Sequence, residues 1–363
     1  MKKRMIFCYA LILIFASGCI AKQERETNTN TPPAKEVTNS LEASVETVAE
    51  NLDVPWAITK HNDTFYITER KGTIARISSG NISRESVKLN KAVLQYGEGG
   101  LLGLALHPDF EENKLAYAYH TYGTTEDVRN RLVLLKYANG AWKEERALLE
   151  DIPGAIYHNG GRIAIGPDNM LYITVGDATT PEQAQNPSSL SGSILRMELD
   201  GSIPEDNPIP DSYVYSYGHR NPQGIAWNNT DGTLYESEHG PSAKDEINII
   251  EAGNNYGWPI ITGSDEKNGM QSPLFQSGDR TWAPSGMVYF EGSLFVASLR
   301  GEMIRQFELE SKKEYPLVEN FGRVRDVLLD GETLYAVTNN TDGRGNPIPT
   351  DDRLIKIPLK REN

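Results

Sequence analysis

Cysteine is almost missing from this chain. Its 363 residues include two cysteines, Cys8 and Cys19, and both lie near the N terminus. The domain that follows therefore has no thiol for a disulfide or for a thiolate metal site. Its stability has to come from a packed core, with bound ions as the other available source.

Runs of basic residues are also missing beyond the first residues of the chain. Lysine and arginine total 36 against 50 aspartates and glutamates, which gives a net charge of -14. Nothing in this pattern would neutralise the phosphates of DNA or RNA, so a nucleic-acid partner is excluded. The acidic excess indicates a soluble protein and leaves its partner open.

One hydrophobic run is present, at the N terminus. Basic residues 2–4 precede an apolar stretch, residues 5–15, that is too short for an ordinary membrane span. The "ASGC" that follows resembles a bacterial lipobox. We therefore predict that residues 1–19 are a lipoprotein signal peptide, cleaved before Cys19, whose thiol receives a lipid. A plain signal peptide and an uncleaved anchor are the alternatives.

Residues 20–44 are polar, rich in threonine and poor in large apolar side chains. Such a segment cannot bury enough surface to fold, so we predict a disordered tether between the lipid and the domain. The two segments together predict an exported protein at the cell surface. Its lipid would be its only attachment to the outer face of the membrane.

One pattern recurs six times from residue 45 onward. A strand led by an aromatic residue follows a Gly, Asp or Asn turn, and a second strand comes after a short gap. Long helical periodicity is missing, and strand repeats spaced by about 40 to 63 residues are typical of propeller blades. We therefore predict an all-β fold, a six-bladed β-propeller over residues 45–363, with a strand in Ser44–Leu52 completing the last blade. The leading aromatics are Tyr66, Tyr117, Tyr172, Tyr235, Phe295 and Tyr335.

The ligand of a propeller usually meets the loops at one mouth of the central channel. Four arginines occupy such loops: Arg220, Arg300, Arg323 and Arg325. Guanidinium groups bind carboxylates in a fork, so this set suits a ligand that carries several carboxylates. Positive neighbours would lower the pKa of a histidine among them, which keeps it neutral and fit to accept a proton.

Five motifs, taken in order, resemble the soluble glucose/sorbosone dehydrogenase family, which depends on pyrroloquinoline quinone (PQQ) and is also called aldose sugar dehydrogenase. The resemblance runs from "NLDVPWAITK" to "RLIKIPL", nearly the whole domain. It implies a six-bladed propeller that uses PQQ and calcium. The motifs are "GGLLGLALHPDF", "HNGGRIAIGPD", "GHRNPQG", "EHGPSAKDEIN" and "NNYGWP".

The resemblance also implies roles for single residues. His158 matches the family's catalytic base, which takes the proton of the sugar hydroxyl. Gly240 and Pro241 match a turn whose backbone carbonyls hold the active-site calcium, a metal that prefers oxygen ligands. The positions that match cofactor contacts are Glu98, Arg220, Asn221, Thr281, Arg300, Arg323 and Arg325.

A second, structural calcium is implied by similar family segments. Its candidate ligands here are Asp245 and Glu246, with Tyr256 nearby. Asp245 and Glu246 could equally cap a turn or pair with Lys244, and the sequence leaves these alternatives open.

The chain departs from the best-known family members at several cofactor-shell positions. Tyr157 replaces an aspartate, Glu98 and Ala178 replace glutamines, His239 replaces a glutamine and Arg300 replaces a lysine. These changes bear on cofactor affinity and on the choice of sugar. Long insertions that would build a dimer face are missing, so we expect a monomer.

The leading hypothesis is a quinoprotein oxidoreductase that oxidises aldose sugars at the anomeric carbon to lactones and passes electrons to an external acceptor. One alternative is a calcium-dependent lactonase, which would need carboxylates and asparagines around one central ion. The other is a binding propeller without catalysis, which the substitutions at Glu98, Tyr157 and Ala178 keep open.

Overall fold

The computed structural model describes residues 45–359. The predicted signal peptide (1–19) and tether (20–44) lie outside the described residues. The described part consists of strands and turns, with one short α-helix, α1 (Phe110–Asn113), and a 3-10 turn at Pro181–Gln185. Within it, no helix has the length and hydropathy needed to span a membrane. The all-β prediction is confirmed.

The strands are short and follow one another through tight turns. In chain order they are β1 (Glu46–Ala49), β2 (Pro55–His61), β3 (Thr64–Glu69), β4 (Thr73–Ser78), β5 (Asn81–Lys88), β6 (Leu101–Leu106), β7 (Leu115–Gly123), β8 (Val128–Ala138), β9 (Ala141–Pro153), β10 (Ile163–Ile165), β11 (Leu171–Val175), β12 (Ser193–Met197), β13 (Val214–Tyr217), β14 (Pro222–Trp227), β15 (Leu234–Glu238), β16 (Glu246–Ile250), β17 (Phe275–Gln276), β18 (Pro284–Phe290), β19 (Ser293–Ser298), β20 (Met303–Glu308), β21 (Lys313–Val318), β22 (Val324–Asp330), β23 (Thr333–Thr338) and β24 (Leu354–Pro358).

These strands form antiparallel meanders of four. Three are separate sheets: β10 to β13, β14 to β17 and β18 to β21. Two more, β2 to β5 and β6 to β9, join into one eight-stranded sheet through the parallel pairing of β5 with β9. The last sheet has the order β1-β24-β23-β22, so the strand predicted near the N terminus pairs with the final strand. This pairing of the N-terminal strand with the last strand supplies the fourth strand of the sheet and covers an edge of β24.

The first strands of the meanders make a closed ring. Strand β2 contacts β6, and the contacts continue through β10, β14, β18 and β22 back to β2. The aromatic residues that lead the sequence repeat all lie one strand further out, on β3, β7, β11, β15, β19 and β23. The repeat therefore marks the second strand of each meander, and the inner strand precedes it.

Apolar side chains fill the spaces between neighbouring meanders. The largest cluster includes Trp142, Tyr66 and Phe110, whose rings contact one another within 6.0 Å. Aromatic pairs at such distances add to the stabilisation that area burial already gives. The apolar core thus lies between the meanders, and polar groups occupy the axis of the ring.

A buried ion pair crosses the axis. Arg162, just before β10, donates from Nη1 to Oδ2 of Asp326 on β22 at 2.7 Å. The same oxygen accepts the N–H of Ile58 on β2, and Arg162 Nε donates to the carbonyl of Gln223 on β14. The guanidinium also lies 4.3 Å from the ring of Trp56. Four inner strands therefore meet at one charge pair.

We predict that Asp326→Asn lowers the free energy of unfolding by about 3–5 kcal/mol, because the Arg162 charge stays buried without its partner. Chemical denaturation at neutral pH measures the loss. The matched control is Asp330→Asn on the same strand, which removes an exposed pair with Lys60 and should cost about 1 kcal/mol or less. Equal losses in the two variants would contradict this role for the central pair.

Candidate active site

One edge of every sheet carries the polar residues of the site. In an antiparallel meander, the start of the first strand and the end of the second strand lie at the same edge. Trp56 and Arg325 lie at the starts of β2 and β22, and Arg70 and His239 follow the ends of β3 and β15. All of them line one cavity on the axis of the ring. The topology therefore brings together loops that are far apart in sequence.

The cavity is lined mainly by charged and polar side chains. Three are arginines, Arg70, Arg325 and Arg344, and two are carboxylates, Glu98 and Asp342. Its other polar or aromatic lining residues are Trp56, Asn159, Gln223 and His239. Guanidinium groups thus outnumber carboxylates here by three to two, a balance that favours anionic ligands over cations.

His158 is not among the residues that line the cavity, but the two residues that follow it are. Its side chain is paired with a buried carboxylate. Its Nδ1 is 2.8 Å from Oδ1 of Asp177, whose side chain is fully buried. The other oxygen, Oδ2, accepts the indole N–H of Trp258 at 2.8 Å. Because the carboxylate can only accept, Nδ1 carries the proton and Nε2 is left as the basic nitrogen. His158 is thus oriented as a proton acceptor.

The backbone around His158 is tightly turned. His158 itself has a φ of 61°, and Gly160 and Gly161 follow with φ of 61° and 101°. A Cβ at Gly160 would stand 2.5 Å from the carbonyl oxygen of Thr174, and one at Gly161 would stand 2.9 Å from Leu102. Only glycine fits both positions, since it tolerates positive φ without a clash. This explains the doubled glycine after the histidine.

Glu98 holds the same loop from the opposite side. Its Oε2 accepts the backbone N–H of His158 at 3.1 Å, and its Oε1 accepts from Nη1 of Arg344 at 2.9 Å. Burial alone would raise the pKa of Glu98, but the attraction of His239, the contacts of Arg344 and the His158 amide lower it to about 2. Glu98 is therefore ionised at neutral pH and ties His158 to the cavity.

Two of the predicted arginines, Arg220 and Arg325, are desolvated, and some buried donors of the site lack partners. Burial lowers the pKa of Arg325 to about 9 and also lowers the pKa of Arg220. Nε of Arg220, Nε of Arg323 and Nδ2 of Asn221 are buried donors that have no hydrogen-bond partner among the described residues. Buried donors without partners are rare and costly. An anionic ligand would supply the missing acceptors.

A neutral histidine does lie among the arginines, but it is His239. Burial lowers its pKa to about 4, although Asp245 and Glu98 attract the proton, and Arg325 and Arg220 add to the lowering. The carbonyl of His239 accepts from Nη1 of Arg220 at 3.1 Å. His239 lines both the central cavity and a smaller one beside Arg220, so it separates the two.

The Gly240–Pro241 turn borders the smaller cavity. The N–H of Gly240 donates to Oδ1 of Asp245, whereas the carbonyl oxygens of Gly240 and Pro241 accept no hydrogen bond from the described residues. Free carbonyl oxygens are ligands that calcium accepts. The turn is thus available for the role that the family resemblance implies.

Asp245 is occupied as a cap. Its Oδ2 accepts from the hydroxyl of Thr281 and from the N–H groups of Trp282 and Ala283, at 2.6–3.1 Å, while Oδ1 holds Gly240. Four hydrogen bonds inside the protein thus hold this carboxylate, three on Oδ2 and one on Oδ1. Asp245 therefore caps a turn, which is one of the alternatives that the sequence left open. Thr281, a predicted cofactor contact, donates its hydroxyl to this carboxylate.

The side chains of Glu246 and Tyr256 have different hydrogen-bond partners. Glu246 accepts the N–H of Gly263 at 2.6 Å, and burial, together with repulsion from Glu238, raises its pKa to about 8. The Tyr256 hydroxyl donates to the carbonyl of Ile249 at 2.6 Å. Both residues line the smaller cavity, but the tyrosine hydroxyl is engaged elsewhere. Their assignment as calcium ligands stays a prediction.

Arg300 is the predicted arginine that contributes to neither cavity. It follows β19 at an exposed position and lines neither cavity. Arg323, by contrast, donates from Nη2 to Asp342 at 2.8 Å and from Nη1 to the carbonyl of Leu299. Of the four predicted arginines, Arg325 lines the central cavity, Arg323 pairs with a cavity residue and Arg220 borders the smaller cavity.

Several site residues were not found from the sequence. Asp177 follows the end of β11, at the same edge as the His158 loop, and this position after a strand is the signal that would have found it. Arg344 and Asp342 lie in a long loop after β23 that has no motif of its own. Arg70 resembles any charged turn residue in sequence.

The comparisons with known proteins match the whole domain. The sequence model of the family described as "Glucose / Sorbosone dehydrogenase" matches residues 52–354. The solved PQQ-bound aldose sugar dehydrogenase of Streptomyces coelicolor is 38% identical, with 87% of this chain and 98% of that chain covered and a TM-score of 0.80.

Two relatives known by name give the same result. Aldose sugar dehydrogenase YliI of Escherichia coli (strain K12) is 29% identical over 339 residues, which cover 83% of this chain and 91% of that protein. Quinoprotein glucose dehydrogenase B of Acinetobacter calcoaceticus is 34% identical over 256 residues, which cover 61% of this chain and 53% of that protein. The resemblance seen in the motifs is confirmed.

We predict an acid-dependent loss of stability that depends on Glu98. A carboxyl with a pKa of about 2 in the folded protein, below its unfolded value, stabilises fully above the unfolded pKa and loses this contribution as the pH falls towards 2. Between pH 5.5 and pH 2, the unfolding free energy of the wild type should fall by about 2–3 kcal/mol more than that of Glu98→Gln. Urea unfolding at each pH measures both; parallel curves would contradict the ionised pair.

Proposed function

Since the chain belongs to the glucose/sorbosone dehydrogenase family, we propose that it is a quinoprotein oxidoreductase that oxidises aldose sugars at the anomeric carbon to lactones with PQQ and calcium. An external acceptor would then remove the electrons. The observation that carries the proposal is the cavity on the ring axis, where desolvated arginines stand beside a histidine that is oriented as a base.

The residues present fit an anionic quinone. Arg325 and Arg344 line the cavity, and the unpartnered donors of Arg220, Asn221 and Arg323 lie on the loops around it. These residues would hold the cofactor, and the free carbonyls of the Gly240–Pro241 turn would hold the calcium. When bound, PQQ supplies a quinone that accepts hydride, and calcium supplies a Lewis acid that polarises a quinone carbonyl.

The proton of the sugar hydroxyl would go to His158. Nε2 is the free nitrogen, because Nδ1–H donates to Asp177. The carboxylate fixes the tautomer and stabilises the imidazolium that forms after proton transfer. The Trp258 N–H holds the second oxygen of Asp177, so the carboxylate cannot rotate away from the histidine.

The arrangement disfavours a calcium-dependent lactonase. That function would need carboxylates and asparagines aimed at one central ion. The two cavity carboxylates are instead paired with arginines, Glu98 with Arg344 and Asp342 with Arg323. Carboxylates that are already paired, beside a larger number of guanidinium groups, suit an anionic cofactor better than a free cation.

The proposal extends to the architecture and the setting of the protein. The ring of inner strands and the meanders of four support a six-bladed propeller. The basic head, apolar stretch and "ASGC" of the N-terminal sequence support an exported lipoprotein at the outer face of the membrane. The domain would act there as a monomer on sugars outside the cell.

The direct test reconstitutes the purified protein with PQQ and calcium and follows dye reduction by aldoses. His158→Gln should lower kcat by about 10²–10⁴-fold, because a general base contributes that much. Binding of the quinone, followed by its absorbance, should remain within about threefold of the wild type. Unchanged turnover in the variant would overturn the assignment of the base, and no quinone binding by the wild type would overturn the function.

A second variant separates the orientation of the base from its presence. Asp177→Asn removes the acceptor charge that keeps the proton on Nδ1, so kcat should fall by about 10²-fold or more while quinone binding persists. Asp168→Asn is the matched control, because this aspartate pairs with Arg196 away from the cavity. Equal activity of the two variants would contradict the role of Asp177.

A further inference from the structure

Three buried side chains behind the site form a cluster with no obvious function in the proposed reaction. They are His219, Glu236 and Glu238, and one donor atom from each lies within 4.8 Å of the others. All three are at most 3% exposed. Among the described residues, neither carboxylate has an ion pair with a lysine or an arginine. Buried carboxylates without a counter-charge are strongly disfavoured.

Unused acceptor atoms point to a missing cation. Oε1 of Glu236 and Oδ1 of Asn248 are buried and have no hydrogen-bond partner within the described part of the chain. Asn248 is 1% exposed, and its Nδ2 donates to Glu236 at 3.2 Å and to Glu238 at 3.3 Å. The amide therefore lies against both carboxylates, and a half-turn about its terminal torsion would present Oδ1 to them.

We propose that His219, Glu236 and Glu238, with Asn248 as a fourth ligand, bind a divalent transition-metal ion of the Zn²⁺ type. The imidazole decides the class of metal. Calcium takes six to eight oxygen ligands, whereas a small set of one imidazole and two carboxylates suits zinc and its neighbours in the first transition row. The site is buried and would have a structural role.

The arrangement of the histidine supports this assignment. His219 Nδ1 is 3.3 Å from Oε1 of Glu238, and its Nε2 is 2.9 Å from the hydroxyl of Ser216, which can either donate or accept. Without a metal, Nδ1–H would donate to Glu238; with one, the proton would move to Nε2 and donate to Ser216, which frees Nδ1 as a ligand. Two ligands of a tetrahedral zinc ion, each about 2.0–2.1 Å from the metal, are about 3.3 Å apart. A serine that fixes the tautomer of the ligating histidine is the usual kind of outer-shell support.

The cluster is separate from the two calcium sites considered above. Its ligands would be neither the Gly240–Pro241 carbonyls nor Glu246 and Tyr256, although it borders them: Glu238 lines the smaller cavity, and the ring of His219 stacks on that of Tyr256 at 4.7 Å. It is nevertheless joined to the candidate active site, because Oε2 of Glu238 accepts the backbone N–H of Arg220 at 2.6 Å. A metal on the other oxygen of Glu238 would fix the loop that presents Arg220.

A proton is the competing explanation for the cluster. Burial, repulsion from Glu238 and the proximity of Glu246 raise the pKa of Glu236, although the contact with Asn248 opposes the rise. A protonated Glu236 would also lower the buried charge. The two explanations differ in one variant, because Glu236→Gln mimics the protonated carboxyl but removes a metal ligand.

The experiment needs neither PQQ nor sugar, so it is independent of the proposed function. The purified chain is stripped with a chelator, equilibrated with Zn²⁺ in an excess of Ca²⁺, desalted, and measured by elemental analysis and thermal unfolding. The wild type should retain about one Zn²⁺ per chain and gain about 5 °C in Tm. Glu236→Gln should retain no zinc and show no shift.

The matched control is Glu85→Gln, a buried carboxylate in another sheet that accepts from Trp142 and Tyr137. It should keep the zinc. His219→Gln provides a second variant, and Co²⁺ in place of zinc gives an absorption band that this variant should lose. The proposal is overturned if the wild type retains no transition metal, if calcium competes it out, or if Glu236→Gln retains as much zinc as the wild type.

Discussion

The structure depends on one charge pair, Arg162 with Asp326, on the axis of the ring. A ring of inner strands leaves a channel that apolar side chains do not fill, so polar groups have to close it. The pair does this from opposite strands, and Ile58 and Gln223 tie it to two further strands, while Nη2 of Arg162 has no partner among the described residues. Every meander that contributes to this contact is held at a fixed distance from the axis.

The floor of the site is built on the same contact. Gln223 accepts from Arg162 through its carbonyl and from Arg325 through Oε1 at 2.9 Å, and the ring of Trp56 faces both guanidinium groups. The central pair therefore sets the position of Arg325, which lines the cavity. Stability and site geometry are coupled here, because the hydrogen bonds that close the channel also orient an arginine of the site.

The cavity has an unusual charge for this chain. The protein carries a net charge of -14, yet the cavity has three arginines and only two carboxylates. Both carboxylates are already paired with arginines. Such a local reversal of sign attracts anions to the mouth while the rest of the surface repels them. The selectivity of the site for an anionic cofactor would follow from this difference.

The sequence predicted the strands that face the apolar core and missed those that face the axis. Strand β11, "LYITV", shows the expected apolar pattern and was recognised through Tyr172. The inner strand β22, "VRDVLLD", carries Arg325 and Asp326 towards the axis, so its alternation is broken by the residues that matter most. The motifs located His158 in the sequence. Asp177 could be identified only from the structure, in which its loop and the His158 loop lie at the same edge of the sheet.

Arg300 shows a second limit of the sequence analysis, because it was assigned to the site by position although its side chain is exposed. Its position in a loop after β19 matched the family pattern, but the loop directs it to an exposed place outside both cavities. The buried cavity positions around it belong to Leu299, whose carbonyl is held by Arg323. A match in sequence position identifies the strand end at which a residue lies, but local packing determines the direction of its side chain. A shift of one residue at a strand end reverses that direction.

Glu238 connects the two polar regions of the molecule. One oxygen holds the backbone of Arg220, and the other faces His219 and Asn248 in the buried cluster. The position of the Glu238 side chain therefore affects the loop that carries Arg220, because the two are hydrogen-bonded. A metal ion on the other oxygen of Glu238 would hold this carboxylate in one orientation, and with it the hydrogen bond to the backbone of Arg220. The geometry of the site is thus set from both sides, by the charge pair on the axis and by the position of Glu238.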